Sequence, residues 1–145
     1  MGDARGDKEH LGVDTNVLVS FLDAEHPDHK DASRLGDAHT ATNPTIIHEA
    51  YHTLVYAQKW DRNQATDVLV DYLDTTLFLN QTKEITKIGL SLGMEYALGG
   101  RDSLILANFL LNGIEKMVTF DTSLLELERI SMDGRVMCII LPSDA

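Results

Sequence analysis

The chain has no apolar run near the roughly 18 residues of a membrane-spanning helix, and its polar start lacks the apolar segment of a signal peptide. It has one cysteine, Cys138, so an internal disulfide is impossible. Because Cys138 lies in the apolar run 136–141, we expect a buried, unreactive thiol. These absences exclude a disulfide scaffold and predict a cytoplasmic protein without a membrane segment.

Basic residues are also scarce: 12 Lys and Arg stand against 23 Asp and Glu, for a formal net charge of −11. Phosphate binding is dominated by Lys and Arg, so a broad basic surface for nucleic acid is excluded. Any contact with RNA must be local or bridged by a metal ion. A basic protein partner is compatible with this charge.

The length of 145 residues and the 43% hydrophobic content indicate one globular domain. Residues 1–9 are charged and have no hydrophobic periodicity, which predicts a flexible tail. We therefore place the folded domain at residues 10–145.

The stretch 11–19 reads as a buried strand that ends at Asp14 and turns directly into a helix. Apolar residues on both sides of Gly12 suit a strand covered on both faces. Asp14, Thr15 and Asn16 supply side-chain oxygens that can cap the following helix. A carboxylate is thus expected at the carboxyl end of a strand, where open α/β sheets bind ligands.

Strands and helices alternate along the rest of the chain. The patterns predict further strands near residues 40–42, 76–79, 116–121 and 135–141, and helices near 16–22, 29–37, 44–60, 61–73, 83–97, 101–112 and 122–127. Two glycines, Gly99 and Gly100, are expected to end the helix before them in the left-handed conformation. The predicted fold is a single α/β domain with a mostly parallel sheet of about five strands flanked by helices.

Four acidic residues stand out by position: Asp14, Glu49, Asp102 and Asp121. Each aspartate taken alone is explained as a helix cap or first-turn acid, and Glu49 as a solvated helix residue. Together the four acids indicate one shared site, because three of them lie at the same edge of the sheet and Glu49 lies on a helix that starts at this edge. Converging carboxylates repel one another unless a cation holds them.

Oxygen ligands of this kind suit Mg²⁺ or Mn²⁺. Such ions lower the pKa of a bound water, orient it for in-line attack and stabilise charge on a leaving oxygen. The four acids therefore indicate phosphodiester hydrolysis.

Four segments carry a resemblance to a known family: Val13-Asp14-Thr15-Asn16, Ile46-Ile47-His48-Glu49-Ala50, Arg101-Asp102-Ser103-Leu104-Ile105-Leu106-Ala107 and Val118-Thr119-Phe120-Asp121. In order and spacing, residues 11–141 resemble the PIN domain, and within it the VapC-like ribonuclease toxins of VapBC toxin–antitoxin pairs. The resemblance implies a PIN fold, metal-dependent cleavage of RNA, an antitoxin partner and frequent homodimers.

The resemblance makes Asp14, Glu49, Asp102 and Asp121 the acidic site, with Thr15, Asn16 and Thr119 as supporting polar groups. We expect Asp14 and Asp102 to bind the metal directly, and Asp121 to bind it directly or through water. Glu49 is expected to position or deprotonate the attacking water.

Two basic residues, Arg101 and Lys116, are candidate phosphate contacts, although a lone surface cation is more often only solvated.

One motif indicates a different chemistry. His48-Glu49-Ala50-Tyr51-His52 has the H-E-x-x-H pattern, which on a helix can place two histidines on zinc with the glutamate as base. A zinc metalloprotease would leave the three aspartates unexplained, and no third zinc ligand is marked downstream. We therefore favour histidines that flank a functional Glu49.

A second alternative is a non-catalytic binding module whose acidic pocket captures a basic peptide. The presence of all four acids favours retained catalysis. Early apolar side chains such as Phe21 and Leu22 are either core residues or part of a dimer or antitoxin surface.

Overall fold

A computed structural model describes residues 9–145. The prediction of a flexible tail falls mostly on residues 1–8, which lie outside the described residues. Glu9 is described, and its carboxylate is 3.3 Å from Lys116 Nζ. No helix in the described part is long and apolar enough to cross a membrane.

The central sheet of this part of the chain has six strands in the order β3-β2-β1-β4-β6-β5. They are β1 (Leu11–Val13), β2 (Thr40–Thr42), β3 (Leu77–Phe78), β4 (Lys116–Val118), β5 (Arg129–Met132) and β6 (Arg135–Ile140). All neighbouring pairs are parallel except β5 and β6. The α/β fold with a mostly parallel sheet is confirmed.

Seven α-helices of the described chain flank this sheet. They are α1 (Thr15–Leu22), α2 (His29–Ala32), α3 (Pro44–His52), α4 (Arg62–Leu73), α5 (Lys83–Tyr96), α6 (Gly100–Leu111) and α7 (Thr122–Leu125). The helix expected over 44–60 is shorter, because α3 passes into a π-helical turn at Thr53–Ala57. The helix expected over 29–37 is likewise split into α2 and a 3₁₀ turn at Ser33–Leu35.

The strand order creates a switch point beside β1. The chain runs from β1 outward to β2 and β3, then returns to place β4 on the other side of β1. The carboxyl ends of β1 and β4 therefore lie on either side of this switch point, which is where ligands bind in open α/β sheets. Asp14 follows β1 directly, and Thr119 to Asp121 follow β4.

The core packs most tightly where β1 meets α6. Phe109 is fully buried, and a Cβ built on Gly12 would lie 2.8 Å from its Cδ2 atom. Only a residue without a side chain allows this approach, so Gly12 sets the distance between β1 and α6.

The prediction that Gly99 and Gly100 end α5 in the left-handed conformation is wrong. Ala97 ends the helix in the left-handed conformation, with φ of 56°, and the Leu98 N–H bonds Gly93 O at 3.0 Å. Gly99 is extended and precedes α6, and Gly100 is the first residue of that helix. The chain therefore turns out of α5 at Ala97, before the two glycines, and the glycines form the start of α6.

Strand β5 was not predicted, although the sequence marks it. Asp133 and Gly134 connect β5 to β6 with φ of 55° and 78°, as in a type I′ hairpin turn. The expectation of a buried Cys138 is also wrong, because this side chain is exposed. Met137 and Ile139 of β6 face the core, so alternation turns Cys138 outward.

Candidate active site

Asp14 lies at the N-terminus of α1 and is only 6% exposed. Its Oδ1 accepts a hydrogen bond from the Thr15 backbone N–H, and its Oδ2 accepts one from the Thr119 hydroxyl, both at 2.8 Å. Burial raises the pKa of Asp14 to about 6, although these two hydrogen bonds oppose the shift. The nearby charges of Asp102 and Glu49 raise this pKa further.

The Thr119 hydroxyl is a hydrogen-bonding hub behind Asp14. While donating to Asp14, it accepts from the Asp121 backbone N–H at 3.0 Å and from Asn16 Nδ2 at 3.3 Å. Asn16 Oδ1 in turn accepts from the Phe120 N–H at 3.1 Å. These bonds tie the ends of β1 and β4 together, as required of supporting polar groups.

Glu49 reaches the same region from α3. Its Oε1 accepts from the Thr15 hydroxyl at 2.8 Å, and its Oε2 lies 2.7 Å from Arg101 Nη1. The Arg101 side chain is largely exposed, so solvent screens this ion pair. Arg101 therefore lies at the mouth of the site and holds Glu49 in place.

Asp102 is in the first turn of α6 and is partly buried. Burial is the largest cause of its raised pKa, and the charges of Asp121 and Glu49 add to it, while Arg101 opposes it. The charges of neighbouring acids thus raise the pKa values of both Asp14 and Asp102, as expected where carboxylates lie close to one another.

Asp121 caps α7, and its pKa is lowered, in contrast to those of Asp14 and Asp102. Its Oδ1 accepts from the Ser123 hydroxyl at 2.6 Å and from the Ser123 backbone N–H at 2.9 Å. The hydrogen bond from the Ser123 hydroxyl is the main reason that the pKa of Asp121 is lowered. Asp121 is thus both a helix cap and a member of the acid group.

All four acids line one cavity of about 840 Å³, which we call the acidic cavity. Its two walls come from α1 and α3, through residues at helical spacing: Thr15, Asn16, Val19 and Ser20 on one side, and Thr45, His48, Glu49 and His52 on the other. Asp14, Asp102, Asp121 and Arg101 also line the cavity, and the remaining lining residues are His26, Asp28, Thr53 and Phe120. The structure therefore brings the seven predicted acidic and supporting residues together.

Lys116 does not join this group. It is the first residue of β4 and pairs in register with Leu11 at the start of β1. The acids follow the opposite, carboxyl ends of these strands, and Lys116 forms its ion pair with Glu9 instead. The structure does not bring Lys116 to the cavity, so it leaves the set of candidate phosphate contacts.

The two histidines of the H-E-x-x-H motif line the cavity but are exposed. The His52 ring packs on Tyr56 with 4.7 Å between centroids, and Glu49 is engaged by Thr15 and Arg101. Within residues 9–145, no group of three or more His, Cys, Asp or Glu side chains is arranged so that it could hold a metal ion, and this includes the four acids as well as the two histidines. The geometry thus gives the zinc-peptidase alternative no support.

Asn108 is a buried polar residue that the sequence prediction did not include, and it connects the helices of two of the acids. Asn108 of α6 is fully buried, and its Oδ1 accepts from Asn43 Nδ2 at 3.2 Å, at the start of α3. Its Nδ2 donates to Leu79 O, Asn80 O and Gln81 Oε1. A polar residue inside the apolar run 104–111 was the available signal, because buried amides are retained where they are hydrogen-bonded. Asn108 joins the helix of Glu49 to the helix of Asp102.

The chain matches one protein family model and is similar to several solved structures. The PIN domain family model matches residues 12–130. No curated protein sequence matches the chain. VapC20 of Mycobacterium tuberculosis, a sarcin-ricin loop cleaving toxin, has a TM-score of 0.66 and 17% identity over 77% of this chain and 89% of its own.

Two further structures are similar. A toxin–antitoxin complex from Klebsiella pneumoniae contains a chain 26% identical, with a TM-score of 0.60 over 77% of this chain and 87% of that one. DNA-bound VapBC from Salmonella typhimurium gives 15% identity and a TM-score of 0.62, over 90% and 96% of the two chains. The two matches below a quarter identity, VapC20 and the Salmonella structure, show a shared fold.

Proposed function

Because this chain belongs to the PIN domain family, we propose that it is an endoribonuclease that hydrolyses RNA phosphodiester bonds in the acidic cavity. The observation that carries the proposal is the convergence of Asp14, Glu49, Asp102 and Asp121 from four separate elements on one cavity. Helix capping does not explain why the charges of Asp102 and Glu49 raise the pKa of Asp14, or why those of Asp121 and Glu49 raise the pKa of Asp102. A shared cation does explain such a cluster.

The donor chemistry fits a hard divalent ion, Mg²⁺ or Mn²⁺. All four acids offer oxygen ligands, and Mg²⁺ is usually held by one or two carboxylates with waters and substrate phosphate filling the other positions. A complete protein ligand set is therefore not required. When bound, the ion would supply an activated water and would stabilise charge on the leaving oxygen.

We assign the holding of this ion to Asp14 and Asp102, with Asp121 as a ligand or a water-mediated contact. Thr15 and Thr119 orient Asp14 through its two oxygens. Glu49 positions or deprotonates the attacking water, and Arg101 beside it contacts a phosphate of the RNA. Binding of RNA would draw Arg101 from Glu49, since both oxyanions compete for one guanidinium.

We further propose that the chain is the toxin of a VapBC-type pair, with a protein antitoxin. The support is the likeness to chains of toxin–antitoxin complexes, together with a net charge of −11 that favours a basic partner segment. A homodimer is also expected. Phe21 and Leu22 are partly buried, whereas Leu90 and Met94, one turn apart on α5, are 74% and 82% exposed and form the better candidate contact.

The test is cleavage of a panel of structured RNAs with Mg²⁺, with Mn²⁺ and with excess chelator. Asp14→Asn, Asp102→Asn and Asp121→Asn should each lower cleavage by at least about a hundredfold, because each removes a charge from the reacting centre. The matched control is Asp61→Asn, since Asp61 caps α4 and does not line the cavity. Folded aspartate variants that cut as well as the parent would refute the proposal.

A further inference from the structure

The acidic cavity contains a histidine to which the proposed chemistry gives no role. His26 lies in the loop after α1 and lines the cavity. Its Nδ1 accepts a hydrogen bond from the Asp28 backbone N–H at 3.1 Å and lies 3.3 Å from the Ser20 hydroxyl. Ser20 is buried on α1, and its hydroxyl also donates to Asn16 O at 2.7 Å. The ring is therefore fixed to the cavity wall by one edge.

These contacts select one tautomer of His26. A backbone N–H can only donate, so the Asp28 N–H requires Nδ1 to be an acceptor. The Ser20 hydroxyl has a single proton, which it can donate either to Asn16 O or to Nδ1, so its contact with His26 does not require a proton on Nδ1. In the neutral ring, the proton must then lie on Nε2. Within residues 9–145 no hydrogen bond reaches Nε2, which leaves this N–H as a donor for a ligand.

His26 lies where it would contact a nucleotide next to the reacting one, and not the reacting nucleotide itself. Its anchor, Ser20, is six residues beyond Asp14 along α1, which is about 9 Å along the helix axis. An RNA strand whose scissile phosphate lies at the acids would place a flanking phosphate along this wall. Arg101 is the one Lys or Arg among the described residues that line the cavity, so a flanking phosphate depends on neutral donors.

We propose that His26, as the neutral Nε2–H tautomer, donates a hydrogen bond to a phosphate oxygen of the nucleotide next to the cleaved bond. This inference rests on the proposed ribonuclease activity and makes His26 a substrate-binding residue of that same site. A neutral donor suits this place, because it holds the RNA without pairing with the carboxylates nearby.

The test compares two substitutions at His26 on a structured RNA that the wild-type protein cleaves. His26→Asn keeps a polar atom at the Nδ1 position for the Asp28 N–H but removes the Nε2 donor. It should lower kcat/KM by about 10- to 100-fold, as expected for a lost hydrogen bond to a charged acceptor, mainly through KM. His26→Gln places an amide N–H near the Nε2 position and should recover part of the loss.

A neighbouring histidine provides the matched control. His29 Nδ1 is 2.8 Å from Ser20 O, and His29 does not line the cavity. His29→Asn should leave kcat/KM of the folded protein unchanged, and thermal unfolding reports whether each variant is folded. A loss in His26→Asn that merely follows the folded fraction would overturn the inference.

The salt dependence of cleavage separates a neutral contact from a charged one. For single strands the slope of log affinity against log salt is about −0.7 per neutralised phosphate. His26→Asn should give a line parallel to that of the wild type, whereas Arg101→Gln should be shallower by about 0.7. A shallower line for His26→Asn, or equal activities of the Asn variant and the wild type, would overturn the proposal. Wild-type protein that cuts no RNA with any metal would instead refute the ribonuclease activity itself.

Discussion

Replacement of Asp14 by Asn should change how the stability of the folded protein depends on pH. The Asp14 carboxyl is 6% exposed, and its pKa rises from an ordinary 3.8 to about 6, chiefly through burial. The folded state therefore binds a proton at Asp14 more tightly than the unfolded state does. The resulting stabilisation is complete below pH 4 and is lost as the pH rises through about 6.

The size of this effect follows from the pKa shift. One pKa unit corresponds to about 1.4 kcal/mol, so a shift of about two units gives roughly 3 kcal/mol in full. About 2 kcal/mol of this is lost between pH 4 and pH 7, because the unfolded carboxyl is still partly protonated at pH 4. Asn cannot titrate, and it loses the hydrogen bond from the Thr119 hydroxyl at every pH. That constant loss cancels when only the change with pH is compared.

Urea unfolding of both proteins from pH 4 to pH 7.5, without divalent ions, measures this difference. The free energy of unfolding of the wild type minus that of Asp14→Asn should fall by about 2 kcal/mol over this range. Asp121→Asn is the control: the pKa of Asp121 is lowered, so its contribution is lost only as the pH falls below about 4, and the difference between this variant and the wild type should stay constant over the measured range. Parallel pH curves for the wild type and Asp14→Asn would refute the desolvation of Asp14.

Three further substitutions test the packing and the hydrogen bonds behind the site. Gly12→Ala should lower the free energy of unfolding by about 1–3 kcal/mol in urea, because its Cβ would meet the buried Phe109 ring; an unchanged midpoint would contradict this contact. Asn108→Leu should cost about 2–4 kcal/mol by the same assay and also reduce RNA cleavage, since α3 and α6 lose their polar link; full activity in the folded variant would exclude a positioning role. Thr119→Val should raise the pKa of Asp14 measured by carboxyl NMR, because the Thr119 hydrogen bond lowers it; an unmoved pKa would argue against that bond.

The carboxyl ends of β1 and β4 could be predicted from sequence because their signal is local. At both places a short apolar strand stops at an acid that caps the next helix, as seen for Asp14 and Asp121. Parallel strands then carry both acids to the same edge of the sheet. Glu49 followed from its place on a helix that begins at this edge with Asn43 as cap.

Sequence patterns could not predict features that depend on contacts between residues far apart in the chain. Lys116 is the first residue of the strand that leads to Asp121, and only the direction of β4 puts it at the far edge of the sheet. Cys138 was assigned to the core because an apolar run does not state which faces of a strand are covered. The role of His26 depends on the return of the α1–α2 loop toward Ser20, which no residue pattern encodes.

Titration of Mn²⁺ into the protein at pH 7, followed by calorimetry, tests most directly whether the carboxylates share a cation. We expect saturable binding of Mn²⁺ to the wild type, weakened by at least about tenfold in Asp14→Asn and in Asp102→Asn. Equal Mn²⁺ affinity in these two variants and the wild type would contradict it.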